Sequence, residues 1–303
     1  MTRHFSYKEL LARAERITWR VEDLIGGEKK LDFSKPFLPE ALARVGGIDF
    51  LSAEEKRTLN QIRGHAYLSI FGLVEEFILP FVLDQARGAI HGDEYRERAL
   101  LEFAGEEAKH IHLFRRFREE FKTGFGVECE VIGPPEVVAK HVLSHPVLSV
   151  GLLTLHIEWM VQRHFQESVQ EDISLDPQFK SLLLHHWMEE LQHAQLDALT
   201  IEAIAKEMTA SDIEAGVLGY MALGAFLDQG LRQQTQFDLA AFEKAVSRTL
   251  SGDERARFVE VQHQANRWTY IGSGMSHPKF LESLGEISAS GRRMVEKATS
   301  SFI

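Results

Sequence analysis

His186-Trp-Met-Glu-Glu190-Leu-Gln-His193 places an imidazole, a carboxylate and a second imidazole at successive helical turns. At 3.6 residues per turn these three side chains fall within about 60° of arc, so one stripe of one helix presents three metal-ligand groups. A second stretch, Glu107-Ala-Lys-His110, repeats the Glu-x-x-His spacing about eighty residues earlier, and both of its groups again share one face. A lone Glu-x-x-His is a weak signal, most often a surface pair, so arrangement carries the inference.

Phase chooses among neighbours. His185 points well away from Glu190 and reads as a surface or outer-lying group, while Glu106 and Glu189 read as solvated or hydrogen-bonding neighbours of Glu107 and Glu190. Two further apolar stretches each carry an inward carboxylate. Tyr67-Leu-Ser-Ile-Phe-Gly-Leu-Val-Glu-Glu-Phe-Ile-Leu-Pro-Phe-Val contains Glu75 and Glu76, and Val150-Gly-Leu-Leu-Thr-Leu-His-Ile-Glu-Trp-Met-Val contains Glu158. Both Glu75 and Glu76 have apolar residues one turn away. Glu75 is preferred, with Glu76 as the alternative first ligand.

An unpaired ionised carboxylate is too costly to bury, so glutamates in such stretches require protonation, a base or a metal. Four of them with three histidines point to metal, and two such pairs, each preceded by an apolar helix with one inward Glu, form the pattern of dinuclear carboxylate bundles. Four glutamates neutralise two ferrous ions. Oxygen and imidazole donors suit iron, with manganese as an alternative, and the single cysteine, Cys129, lies in a Gly- and Pro-bearing loop away from the pattern. Glu260-Val-Gln-His263 matches the same spacing but sits among Arg255, Arg257, Gln262, Gln264 and Arg267 with no preceding partner Glu, and reads as a solvated face.

The chain of 303 residues is 44% hydrophobic and carries few alternating β-branched runs, so it is expected to be all-α. Its net charge of −11, with no concentrated basic patch, argues against a nucleic-acid partner. The N-terminus lacks an apolar signal core and no run of about 18 uncharged apolar residues marks a membrane span, so a cytoplasmic protein without a membrane partner is expected. A first helix is expected over about 5–25. Ser52 and Glu55 form a capping box that opens the first long helix, which Pro80 should kink. A second helix is expected over about 93–121, a loop over 122–135, a third helix beyond His145-Pro146, and a fourth opening at Asp176-Pro177. About 95 further helical residues follow, broken near 209, 251 and 272, that pack on the bundle and close a cavity or form a homodimer face. Trp159 and Phe103 lie near the ligand stripes, as core or as pocket lining.

On these residues the chain resembles the ferritin-like diiron oxygenases, and most closely the aminobenzoate-type arylamine N-oxygenases. The third histidine, His186, one turn before the second pair, is their distinguishing mark, and Tyr67, eight residues before Glu75, is similar to their first ligand helix. The resemblance covers roughly residues 60–205. It implies one ferritin-like helical domain over 1–303, with a four-helix bundle core over about 53–208, additional N-terminal helix, and a C-terminal extension over about 209–303. It further implies two iron ions on Glu75, Glu107, His110, Glu158, His186, Glu190 and His193. The implied activity is that of a monooxygenase: O2, with electrons from an external donor, is activated at the iron pair to oxygenate a small organic substrate, as in N-oxygenation of an arylamine. Asp197, one turn after His193, and Tyr67 are candidates for supporting the ligands. A ferroxidase or iron-storage protein using the same glutamates and histidines is the alternative; the third histidine and the long C-terminal segment favour the oxygenase.

Overall fold

The structure, a computed structural model, describes residues 5–303. Among these residues there is no β-strand, only an isolated bridge between Gly26 and Lys29. The all-α expectation holds, and the architecture is a four-helix bundle with helices added at both ends.

The bundle consists of four long helices. In chain order the elements are α1 (Tyr7–Ala14), α2 (Glu40–Ala43), α3 (Ala53–Ala89), α4 (Glu94–Phe125), α5 (Pro135–Leu143), α6 (Val147–His164) and α7 (Pro177–Lys206). A short turn joins α3 to α4, and residues 165–176, opening with a π-helical turn at Phe165–Val169, join α6 to α7, so each pair packs side by side, while residues 126–146, carrying α5, form the crossover between pairs. Local chemistry sets the ends. Ser52 accepts from the backbone N–H of Glu55, whose carboxylate returns to Ser52 N–H. Asp93 caps α4, and Gly126 closes it in the left-handed region at φ 79°, where a side chain would be strained. Asp176 caps α7, with Pro177 at its first position.

From Leu59 through Ile78 nearly every α3 residue is buried, the polar Asn60, Gln61, Arg63, His65, Ser69 and Glu75 among them. It is long and apolar enough in one window to cross a membrane by length and composition, and 78% of that window is buried by its neighbours. The C-terminal α8 (Ala210–Ala245) passes the same test with 28% of its window buried. Neither contains an uninterrupted run of 18 uncharged residues: Glu75 and Glu76 interrupt the first, and Glu214, Asp228 and Arg232 bound the apolar segments of the second.

Beyond α8 come α9 (Gly252–Arg267), a π-helical turn at Trp268–Gly272, α10 (Ser273–Met275), α11 (Pro278–Ile287) and α12 (Ala289–Thr299). α8 lies along α6 and α3, and α9 packs on α8. A buried polar knot fastens this tail to the bundle: Arg63 of α3 donates to Asn266 of α9, whose amide donates to Thr235 Oγ1 of α8 at 3.0 Å.

Two expectations are corrected. The first helix stops at Ala14, and the chain then runs irregularly through β-branched Ile17, Thr18 and Val21, with a single 3-10 turn at Val21–Asp23. Helix α4 runs four residues further than expected, to Phe125, because Phe121 is buried and Phe125 stacks on it at 4.6 Å. Pro80 lies inside α3, which continues beyond it to Ala89.

Candidate metal centre

Glu75 comes from α3, Glu107 and His110 from α4, Glu158 from α6, and His186, Glu190 and His193 from α7; all seven are buried. Six of them assemble into two overlapping groups of four. Glu75, His110, His186 and Glu190 bring ligand atoms within 4.8 Å of one another, and so do Glu107, His110, Glu190 and His193. His110 and Glu190 belong to both groups and stand between them. His186 Nε2 lies 2.6 Å from Glu190 Oε1 and 3.3 Å from Glu75 Oε1. His193 Nδ1 lies 3.0 Å from both Glu107 Oε1 and Glu190 Oε2.

Glu158 stands beside these groups rather than in either. Burial, reinforced by the adjacent Glu190, raises its pKa well above the carboxylate range, while the charges of His186 and His193 outweigh burial and hold Glu190 well below it. The two neighbouring carboxyls are thus driven apart, Glu158 toward its neutral form and Glu190 toward its anion. Burial alone would discharge His110 and His193, yet Glu190 and the other facing carboxylates raise both well above the usual imidazole value.

The two helix pairs brace each other crosswise. His193 Nε2 lies 2.7 Å from Glu106 Oε2 across the interface, and His110 Nε2 lies 2.8 Å from Glu189 Oε2. Lys109 donates in turn to Glu189 Oε1. Each imidazole thus gives its Nε2–H to a carboxylate of the facing helix and turns Nδ1 inward. This is the outer bond that fixes the orientation of a metal-binding histidine. Glu106 and Glu189 are buried hydrogen-bonding partners and not solvated.

A cation fits the donors that converge here. Both oxygens of Glu107, Oε2 of Glu75 and of Glu158, Oε1 of Glu190 and Nδ1 of His110 are buried without a hydrogen-bond partner. His110 Nδ1 is 3.1 Å from Glu190 Oε1 yet makes no aligned bond. So many orphaned lone pairs facing one space is costly unless a positive ion fills it.

The remaining candidates separate cleanly. Glu76 is only half-buried, and its charge acts on Arg118 instead. Asp197 is buried one turn past His193, with Oδ2 unpartnered, and burial raises its pKa well above the usual range. Tyr67 does not reach the cluster; its hydroxyl bonds His164 Nδ1 at 3.3 Å, and its ring packs on Phe71 at 4.3 Å, which in turn meets His186 edge-on at 5.6 Å. Phe103 stacks on His193 at 3.9 Å, whereas Trp159 stacks on His277, away from the ligands. His185 bonds the Ser181 carbonyl, and burial pushes the Cys129 thiol up to about 12. His263 turns out to face α8, 2.9 Å from Asp228 Oδ1, while Glu260 is exposed and paired with Arg257, so only the glutamate lies on a solvated face.

One contributor was not anticipated from sequence. Trp19, in the irregular N-terminal segment, stacks over His110 at 6.2 Å between ring centres, with the Lys109 ammonium 4.1 Å above its ring. Nothing periodic surrounds it, so no pattern marks it.

No protein-family model matches the chain, and no curated protein matches it. Among solved structures it is similar to R2-like ligand-binding oxidases. A variant with an aerobically reconstituted Fe/Fe cofactor is 17% identical, with 88% of this chain and 93% of that one covered and a TM-score of 0.48. One with an aerobically reconstituted Mn/Fe cofactor after a long soak is 16% identical, with 87% and 92% covered and the same TM-score.

Proposed function

We propose that the chain is a non-haem dimetal oxygenase, in which Glu75, Glu107, His110, Glu158, His186, Glu190 and His193 hold two iron ions, manganese being able to replace iron. Its reaction is the O2-dependent oxygenation of a small organic substrate, with an arylamine nitrogen as the acceptor. The observation that carries this reading is the pair of overlapping, fully buried four-ligand groups sharing His110 and Glu190. When bound, the metal pair supplies the electrons and Lewis acidity that O2 activation needs.

The chain's own residues supply position and protons. Glu106 and Glu189 hold His193 and His110 in the tautomer that leaves Nδ1 free. Phe71, Phe103 and Phe114 pack against the imidazoles and exclude water. Asp197 keeps a proton one turn from His193. One oxygen atom of O2 goes to the substrate and the other leaves as water, which draws two electrons and two protons from an external reductant.

A cavity of about 290 Å³ between α3, α5, α6 and α8 supports an apolar substrate. Ile70, Val74, Ile157, Met160, Leu231 and Tyr270 line it. Val74 and Ile157 directly precede Glu75 and Glu158. Tyr270 is 6.3 Å from Phe71 between ring centres, and its buried hydroxyl has no partner, so it offers the substrate one hydrogen bond.

His186 is the discriminating residue, because the third imidazole distinguishes this ligand set from a plain two-histidine site. His186→Ala should retain iron and change the rate at which the reduced protein consumes O2. Unchanged oxygen kinetics would remove that role from His186, and ferric mineral formation without substrate oxidation would favour iron storage.

A further inference from the structure

A second cavity, of about 430 Å³, lies where the C-terminal part of α4 and the early part of α3 meet the loop after Gly126. Arg115, Arg118 and Lys122 line it from α4, and their spacing of three and four residues puts them on one helix face. Among the described residues none of the three makes a hydrogen bond or ion pair, whereas the neighbouring Arg116 is satisfied by Glu119. Arg118 is half-buried, and burial together with the like charge of Arg115 lowers its pKa, Glu76 alone acting the other way. A guanidinium withdrawn from water and facing another cation lacks an acceptor.

At the floor stands His65, 8% exposed, its ring 4.6 Å from that of Phe121 and its Nδ1 buried without a partner. Burial, aided by Arg118, lowers its pKa to about 4, so the imidazole is neutral and offers an N–H. Glu119, Glu128 and Glu130 also line the rim. Glu119 is taken by Arg116, and the other two sit on the exposed loop, which limits the site to a single anionic head rather than a polyanion.

We propose that this pocket binds the oxyanion group of a small phosphate- or carboxylate-bearing molecule, with Arg118 and Arg115 as charged donors, Lys122 at the rim and His65 Nδ1 at the floor. Planar guanidinium forks match oxyanion geometry. The pocket is separate from the carboxylate–imidazole cluster: His65 precedes Glu75 by ten residues, about 15 Å along α3, and Arg118 follows His110 by eight, about 12 Å along α4.

Calorimetric titration of the full-length protein at constant ionic strength, with inorganic phosphate and separately with acetate, tests this site. Saturable binding of one anion per chain is expected, and a preference between the two probes names the headgroup. Arg118→Gln should weaken binding about tenfold or more, and Arg118→Lys should restore only part of it, because the fork is lost. Glu107→Gln and Glu190→Gln should leave it unchanged. Arg115→Gln provides a second reading if Arg118→Gln lowers the melting temperature. Absence of saturable binding for both anions, equal affinity in the Arg115 and Arg118 variants, or loss of binding in the Glu107 or Glu190 variants would overturn the assignment, the last by placing the anion at the metal centre.

Discussion

Replacing Glu106 or Glu189 by Gln should loosen the metals without touching a ligand. The two carboxylates sit 2.7 Å and 2.8 Å from the Nε2 atoms of His193 and His110. Gln keeps the size and one acceptor oxygen but loses the charge, and charge-assisted hydrogen bonds are roughly twice as strong as neutral ones. Removing such an outer partner costs about 10- to 100-fold in metal affinity, equivalent to about 1.4 to 2.7 kcal/mol. Glu106→Gln should fall toward the lower end. Glu189→Gln should fall toward the upper end, because it also strands Lys109, which donates to the same carboxylate. Anaerobic competition between the protein and a chromophoric chelator for ferrous iron measures the change, with circular dichroism confirming an intact fold. Glu102→Gln, exposed one turn before Glu106, is the control and should behave as the parent. Affinities of both variants within about twofold of the parent would refute the crosswise bracing.

Glu75→Ala should lower the iron retained per chain while Glu76→Ala leaves it unchanged, since only Glu75 reaches the cluster; elemental analysis after desalting decides. In the metal-free protein, folded-state pKa values of His110, His193, Glu158 and Asp197 are all raised. A raised group favours the folded state below its unfolded pKa and loses that contribution as pH rises through its folded value, so thermal stability should fall as pH is raised above about 6.5. Metal-loaded protein should be protected from this fall, because metal binding releases those protons; melting curves across pH check both. Gly274→Ala should destabilise the fold by about 1–3 kcal/mol or more. Its Cβ would lie 2.2 Å from the His156 ring and 2.8 Å from its carbonyl oxygen, and a shifted denaturant midpoint would report it.

The stripes on α4 and α7 were legible in sequence because helical phase alone puts Glu107 with His110, and His186 with Glu190 and His193. Phase did not separate Glu75 from Glu76, since both have apolar neighbours on their own helix; the facing residues of α7 decide, and those belong to packing. The doubled glutamates, Glu106-Glu107 and Glu189-Glu190, were visible, but their crosswise bonds depend on how two helices cross. Trp19 lies on irregular backbone, and the link from Arg63 to Asn266 spans 203 positions, so neither leaves a periodic trace. The bundle was readable from apolar periodicity and caps; the path of the tail, with its π-helical turn at Trp268–Gly272, was not.

Iron retained per chain after anaerobic loading with ferrous iron and desalting tests the dinuclear centre most directly. Two ions per chain, reduced in Glu107→Ala and Glu190→Ala, is the predicted result. Retention of none, or of iron that both variants hold as firmly as the parent, would contradict it.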